Sequence, residues 1–154
     1  MKYKHTQIGY LMLAVMLMVF GIFARAYIQA RAEPPSVDSG TNLAVTATML
    51  LILFILSFFC SLQVIVDEKY LRIKFGYGIY QKKFLLSDII STTTVKNKWY
   101  YGWGIRGRLW SKMIIYNVSG FDAVEIKLKN DKIYRIGTDE PGKLEQAILQ
   151  NITI

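Results

Sequence analysis

Two long uncharged apolar runs occupy the first half of the chain, and short stretches of alternating apolar and polar residues occupy the second. From Ile8 to Ala24 the chain reads IGYLMLAVMLMVFGIFA, bounded by Lys2, Lys4 and His5 on one side and Arg25 on the other. At about 1.5 Å per helical residue this run covers roughly 25 Å of an approximately 30 Å hydrocarbon core. Arg25 can close the gap by laying its stem among acyl chains and its guanidinium among headgroups, with Tyr27 at the interface beside it. A membrane-spanning helix over about 7–29 is predicted. The second run, Ser39 to Val66, also lacks charge, and Leu43 to Leu62 is nearly all apolar, which predicts a second spanning helix over about 43–64. Thr46, Thr48, Ser57 and Ser61 can return their hydroxyls to carbonyls of their own helix. Neither run has the polar face that a soluble helical pair would need. Between them, Arg31 to Asn42 (RAEPPSVDSGTN) has the composition of a short exposed turn. Ala30-Arg31-Ala32 after a basic start also resembles a signal-peptide cleavage site, although the apolar stretch is longer than such peptides use.

Beyond Val66 the period falls to two. Leu71 to Phe75 alternates apolar and basic residues, and Ala123 to Lys129 sets Val124, Ile126 and Leu128 against Glu125, Lys127 and Lys129. Gly76-Tyr77-Gly78 and Asn130-Asp131 supply turns that tolerate positive φ, each followed by a further strand, Ile79 to Lys83 and Lys132 to Ile136. Gln63 to Val66, Ser91 to Lys98 and Met113 to Val118 complete a set of seven short strands. A terminal helix follows, with Thr138 or Asp139 before it, Pro141 in its first turn, and an apolar stripe of Leu144, Ala147, Ile148 and Ile152. Such a stripe normally covers an open end or seam of a sheet. The predicted fold class is α+β: a two-helix transmembrane hairpin over residues 1–66, then an antiparallel sandwich or partly open barrel over 67–154 capped by the helix.

Residues 64–152 carry Leu71-Arg72-Ile73-Lys74-Phe75-Gly76, Leu85-Leu86-Ser87-Asp88-Ile89, Tyr101-Gly102-Trp103-Gly104-Ile105-Arg106, Tyr116-Asn117-Val118-Ser119-Gly120 and Arg135-Ile136-Gly137-Thr138-Asp139-Glu140-Pro141. In that order these stretches resemble the bacterial pleckstrin-homology-like domains that follow a pair of transmembrane helices in small bacterial membrane proteins. The resemblance implies a pleckstrin-homology-like fold and a bacterial inner-membrane setting; it brings no catalytic motif, and a shared superfold does not transfer function.

Charge decides the expected orientation. Residues 63–154 hold fifteen Lys or Arg against nine Asp or Glu, and the amino-terminal tail adds Lys2 and Lys4. The positive-inside rule therefore puts both termini in the cytoplasm, although Arg25 and Arg31 near the turn oppose it. The whole chain of 154 residues has a net charge of +8, one Cys and one His. Cys60 falls within the second predicted helix, and His5 in the amino-terminal tail away from the sheet. Cys-and-His metal sites and a Ser-His-Asp triad have almost nothing to draw on, and no phosphate-binding glycine loop occurs, so neither cofactor nor metal is expected. The acids fall in turns, on polar strand faces or at a helix start, where nothing raises a carboxyl pKa.

The segment Lys96 to Lys112, KNKWYYGWGIRGRLWSK, stands out. It sets Trp99, Trp103 and Trp110, all three tryptophans, with Tyr100 and Tyr101 among Lys96, Lys98, Arg106, Arg108 and Lys112, and it contains no acid. Three readings fit it. Two strands meet there, with the aromatics filling the barrel; or the segment faces the bilayer, where Trp and Tyr favour the interface and each cation near an anionic leaflet gains about 1 kcal/mol; or it meets the acidic surface of a partner. Single-stranded nucleic acid fits least, because the other cations are scattered and no RNA-binding signature occurs. A smaller basic group, Lys69, Arg72 and Lys74, lies on the first predicted hairpin and reads as a solvated strand face. The expectation is a membrane-anchored, non-catalytic docking module that contacts anionic lipid through Lys96, Lys98, Trp99, Trp103, Arg106, Arg108, Trp110 and Lys112. The alternatives are a scaffold subunit of an envelope complex or a homo-oligomer, and an enzyme of unrecognised type.

Overall fold

The computed structural model describes residues 3–32, 39–108 and 112–152, with the side chains of 30–32, 39–42 and 108 left out of the description. The chain is α+β. It begins with a strand, β1 (Tyr3–Ile8), followed by two helices, α1 (Tyr10–Ala32) and α2 (Ser39–Ser57). Strands β2 (Ser61–Val66), β3 (Tyr70–Phe75), β4 (Tyr80–Leu85), β5 (Ile89–Lys96), β6 (Gly104–Arg108), β7 (Met113–Asn117), β8 (Asp122–Leu128) and β9 (Ile133–Gly137) precede the terminal helix α3 (Pro141–Ile152). All seven strands expected from the sequence are present, within a few residues of their predicted bounds; β1 and β6 are additional.

Two sheets form, in the orders β1-β2-β3-β4 and β5-β8-β9-β7-β6. Every pairing is antiparallel except β7 with β9. That parallel pair departs from the antiparallel expectation. The β8–β9 hairpin folds back so that β9 lies between β8 and β7, which sets it running in the direction of β7. Leu62, Val64 and Val66 of β2, Leu71, Ile73 and Phe75 of β3, Val124 and Ile126 of β8 and Ile136 of β9 fill the space between the sheets. Tyr116 and Tyr134 stack there, their rings 9° from parallel, and Tyr80 reaches the Tyr116 hydroxyl at 3.2 Å. Period-two alternation thus supplies one inward face per strand, and area removed from water supplies most of the drive. The α3 stripe of Leu144, Ala147 and Ile148 is buried against β5 and β8, as its spacing requires.

The amino terminus departs most from expectation. Residues 3–8 are a strand of the first sheet, paired with β2 from Tyr3↔Val66 to Ile8↔Ser61. His5 therefore lies in the sheet, with Nε2 2.5 Å from Asp139 and Nδ1 3.4 Å from Glu140. The two helices are inserted between neighbouring strands of one sheet, and position 66 closes β2, which pairs with β1 and β3 alike. Helix α1 runs from 10 to 32 rather than from about 7 to 29, because backbone pairing claims residues 3–8. Helix α2 ends at Ser57 rather than near 64, and Cys60 sits in the bend after it, half-buried. Residues 61–66 gain more as a strand that buries Leu62, Val64 and Val66 than as further helix with nothing to cover them.

Within α1, Tyr10–Gln29 is long and apolar enough to cross a membrane, and none of its side chains is buried. The apolar part of α2, Leu43–Ser57, is shorter. Thr48 donates its hydroxyl to the Ala44 carbonyl at 2.8 Å and Ser57 to that of Phe54 at 2.6 Å, returns within the helix that the sequence anticipates. The two helices touch each other.

Candidate functional site

Strands β5 and β6 lie at opposite edges of the second sheet, so the chain between them must cross that sheet. The crossing, residues 97–103, passes over the outer face and carries the aromatic part of the segment singled out in the sequence. The Asn97 backbone N–H donates to the Phe121 carbonyl at 2.6 Å and fixes the start. A 3-10 turn, Trp99–Tyr101, follows, and Gly102 and Gly104 take positive φ of 65° and 103° where the chain bends into β6.

The outer face beneath it has a cross-strand row: Thr93 opposite Glu125, Glu125 opposite Arg135, Arg135 beside Ile115, and Ile115 opposite Arg106. Arg135 Nε donates to Glu125 Oε2 at 2.7 Å, and its guanidinium lies 5.8 Å from the centre of the Tyr101 ring. Trp103 packs toward Phe121, ring centres 6.5 Å apart. An open cavity of about 320 Å³ remains between Tyr100, Tyr101, Arg106, Gly107, Met113 and Ile115. The side chains around it offer aromatic faces and one cation. Among the described residues no carboxylate, thiol or imidazole lines it, and its aromatic faces and guanidinium can hold an anion or a flat group.

The described aromatics of the segment therefore lie outside the sheet; they do not fill a barrel. Tyr101 and Trp103 are half-buried in this role, while Trp99 is 78% and Tyr100 53% exposed. The expected site residues do not share one surface. Lys96 and Lys98 accompany Trp99 and Tyr100 at one end of the second sheet, the Lys98 ammonium 5.7 Å from the Tyr100 ring centre. Arg106 lies midway along β6 against the cavity, and Lys112 stands at the opposite end, beside the start of β7. Arg108 ends β6, with its side chain outside the description, and Trp110 lies outside the described residues. In the smaller basic group Arg72 is paired with Asp67, which leaves Lys69 and Lys74 as its free cations among the described residues.

The helices leave beside the start of β6 and the β7–β8 turn, at the same end of the second sheet at which β5 closes with Lys96 on the opposite edge. A Cβ on Gly9 would come within 2.8 Å of the Phe59 carbonyl oxygen and 3.1 Å of that of Val118. One on Gly76 would meet the Phe58 carbonyl oxygen at 2.8 Å, and one on Gly104 would stand 3.6 Å from the Phe59 ring. The helix ends are thus ringed by the β3–β4 turn, the β7–β8 turn and the start of β6. Buried Asn117 organises the β7–β8 turn: its Nδ2 donates to the Gly120 carbonyl at 3.0 Å, and its Oδ1 accepts from the Ser119 N–H at 3.3 Å. Exposed Tyr77, Ile79 and Phe121 stand on these turns. The signal for them in the sequence is a hairpin tip, Gly-Tyr-Gly-Ile, with two large apolar residues where turns usually carry polar ones.

Two tyrosines, half-buried Tyr3 and buried Tyr116, have raised pKa values. Burial pushes Tyr3 up to about 12, with Thr138 opposing and the Glu140 and Asp139 carboxylates adding to the shift. Tyr116 is raised further by burial and by its contact with Tyr80. Both are neutral packing groups. Among the described residues no three His, Cys, Asp or Glu side chains are grouped as a metal site requires. No protein-family model matches the chain, and no curated protein matches its sequence.

Proposed function

We propose that the protein is a membrane-anchored docking module. Helices α1 and α2 cross the bacterial inner membrane as a hairpin and hold a pleckstrin-homology-like sandwich, with both termini, at the cytoplasmic surface. The observation that carries this reading is the placement of α1: an apolar helix of spanning length, inserted between paired strands, with no side chain buried along Tyr10–Gln29. Such a surface in water would be among the largest apolar patches a small protein could expose, whereas in lipid it needs no cover. Helix α2 has 19 uncharged residues, about 28 Å of rise, and reaches across with its polar Ser-Gly-Thr-Asn end among the headgroups. Two sheets closed by α3 suit the resemblance noted in the sequence.

Contact with anionic lipid falls to Lys96, Lys98, Trp99 and Tyr100, which share the end from which the helices emerge; Lys112 lies too far along the sheet to join them. Interfacial aromatics and cations near an anionic leaflet, at about 1 kcal/mol per cation, suit that position. The experiment is fractionation of cells expressing the full chain: it should stay with membranes through an alkaline carbonate wash and be released by detergent. Recovery in the soluble fraction without detergent would dismiss the reading.

A second reading, a scaffold subunit or homo-oligomer, draws on an apolar cleft of about 560 Å³ between α1 and α2, lined by Phe20, Phe23, Ala24, Val45 and Met49 among others. A helix of another subunit would fill such a cleft by close packing. Recovery of a defined oligomer in mild detergent would support it, and a lone monomer would count against it.

A further inference from the structure

The β3–β4 turn is an exposed apolar tip of the sandwich, and no described residue covers it. Tyr77 is 80% and Ile79 68% exposed, at a place where Gly76 and Gly78 take positive φ of 51° and 86° to form the turn. A hairpin tip in water is normally polar, so these two side chains have no folding reason to be apolar. Their position is fixed relative to the helices. Strand β3 runs back toward the end of α2, and Gly76 packs so closely on Phe58 that a Cβ would stand 2.8 Å from its carbonyl oxygen. Four residues of turn therefore stand directly beside the exit of the second apolar helix. The Lys74 side chain runs alongside the turn, its Cδ 3.9 Å from where a Gly78 Cβ would lie, and no acid occurs between Arg72 and Ser87. Across the helix exit Phe121, 45% exposed, stands on the β7–β8 turn, whose Val118 carbonyl abuts Gly9.

From this placement we infer that Tyr77 and Ile79, with Phe121 opposite them, enter the interface of the bilayer that α1 and α2 cross. They fix the sandwich against an anionic leaflet as a rigid body rather than leaving it to swing on its helices. This rests on the membrane reading above. Aromatic and aliphatic groups beside a cation are what the headgroup region accommodates, and continuity with the apolar helices favours lipid over a separate protein partner.

The full chain in nanodiscs of phosphatidylcholine and phosphatidylglycerol tests it. In a Cys60→Ser background, single cysteines carrying an environment-sensitive fluorophore replace Leu17 in the middle of α1, Tyr77 in the turn, or Lys132 at the opposite end of the sandwich. Labelled proteins are first required to show the unlabelled chain's thermal transition. The expected result is blue-shifted emission quenched by spin-labelled lipid at positions 17 and 77, and neither effect at 132. Quenching at 17 with none at 77 overturns the inference and leaves the membrane reading standing. Shielding of 77 from a water-soluble quencher without quenching by lipid indicates a protein contact there and also overturns it. No quenching at 17 overturns the membrane reading, and the inference with it.

Discussion

Ile8 stands opposite Ser61 in the β1–β2 ladder, although the whole helical insertion, residues 9–60, lies between them. Two strands so paired could be joined by a tight turn, so the sandwich does not need the helices to close its first sheet. A chain in which Asn-Gly replaces residues 9–60 should fold as a soluble domain with a cooperative thermal transition. A chain beginning at Asp67 should not fold. It loses β1 and β2, and with them Leu62, Val64 and Val66, each at most 2% exposed. At roughly 2–5 kcal/mol for truncating one such side chain, the loss matches the whole stability of an ordinary domain. Circular dichroism and thermal melts of the two chains decide the matter.

Gly137 packs against Asn117, and a Cβ there would lie 2.2 Å from Asn117 Oδ1 and 3.1 Å from its Cα. Because one of those atoms is backbone, rotation of the side chain alone does not relieve the clash. Gly137→Ala should cost about 1–3 kcal/mol. Asn117→Ala should cost a similar amount by leaving the Gly120 carbonyl and the Ser119 N–H without their partner. Urea unfolding of the turn-linked domain reads both values.

Tyr3 is neutral in the fold up to a pKa of about 12, against 10.0 for the unfolded group. A raised folded value means stability that is complete below the unfolded pKa and is lost as pH climbs from there through the folded one. The melting temperature should therefore fall between pH 10 and pH 12. Tyr3→Phe should flatten part of that fall while leaving the melting temperature near neutral pH little changed. Tyr116, shifted in the same direction, accounts for alkaline sensitivity that remains.

Lys96 and Lys98 are exposed at the end of the second sheet that also carries the β7–β8 turn. Reversing both, Lys96→Glu with Lys98→Glu, should weaken binding of the turn-linked domain to phosphatidylglycerol vesicles by a few kcal/mol at low salt, given about 1 kcal/mol per cation near the leaflet. Reversing Lys112, at the other end, should change it little. Vesicle co-sedimentation across a salt series checks both expectations, and equal losses at the two ends would contradict the placement.

Local pattern revealed most of the sandwich. Alternation in Leu71 to Phe75 and in Ala123 to Lys129, turn residues at Gly76 and Asn130, and the Leu144, Ala147 and Ile148 stripe each act over a few residues, and each is present in the fold. The sequence could not reveal β1. Tyr3 to Ile8 has no apolar alternation, and its pairing partner lies beyond both helices. The strand at Gln63 to Val66 is legible, but the uncharged run that precedes it carries the predicted helix to about 64, past its end at Ser57. The aromatic segment was conspicuous, but its role depends on β5 and β6 lying at opposite edges, a fact of strand order that no window of residues contains. Lys98 and Lys112, fourteen residues apart in the same basic segment, stand at opposite ends of the sheet because β6 runs its length between them.

The central claim is that the helical insertion crosses a membrane and leaves the sandwich on the cytoplasmic side. Cysteine accessibility in intact bacteria tests it most directly, with Ser36→Cys between the helices and Lys132→Cys in the sandwich, each in a Cys60→Ser background. A membrane-impermeant maleimide should label position 36 in whole cells and position 132 only after lysis. Labelling of 132 in whole cells, or of neither position until lysis, would contradict the account.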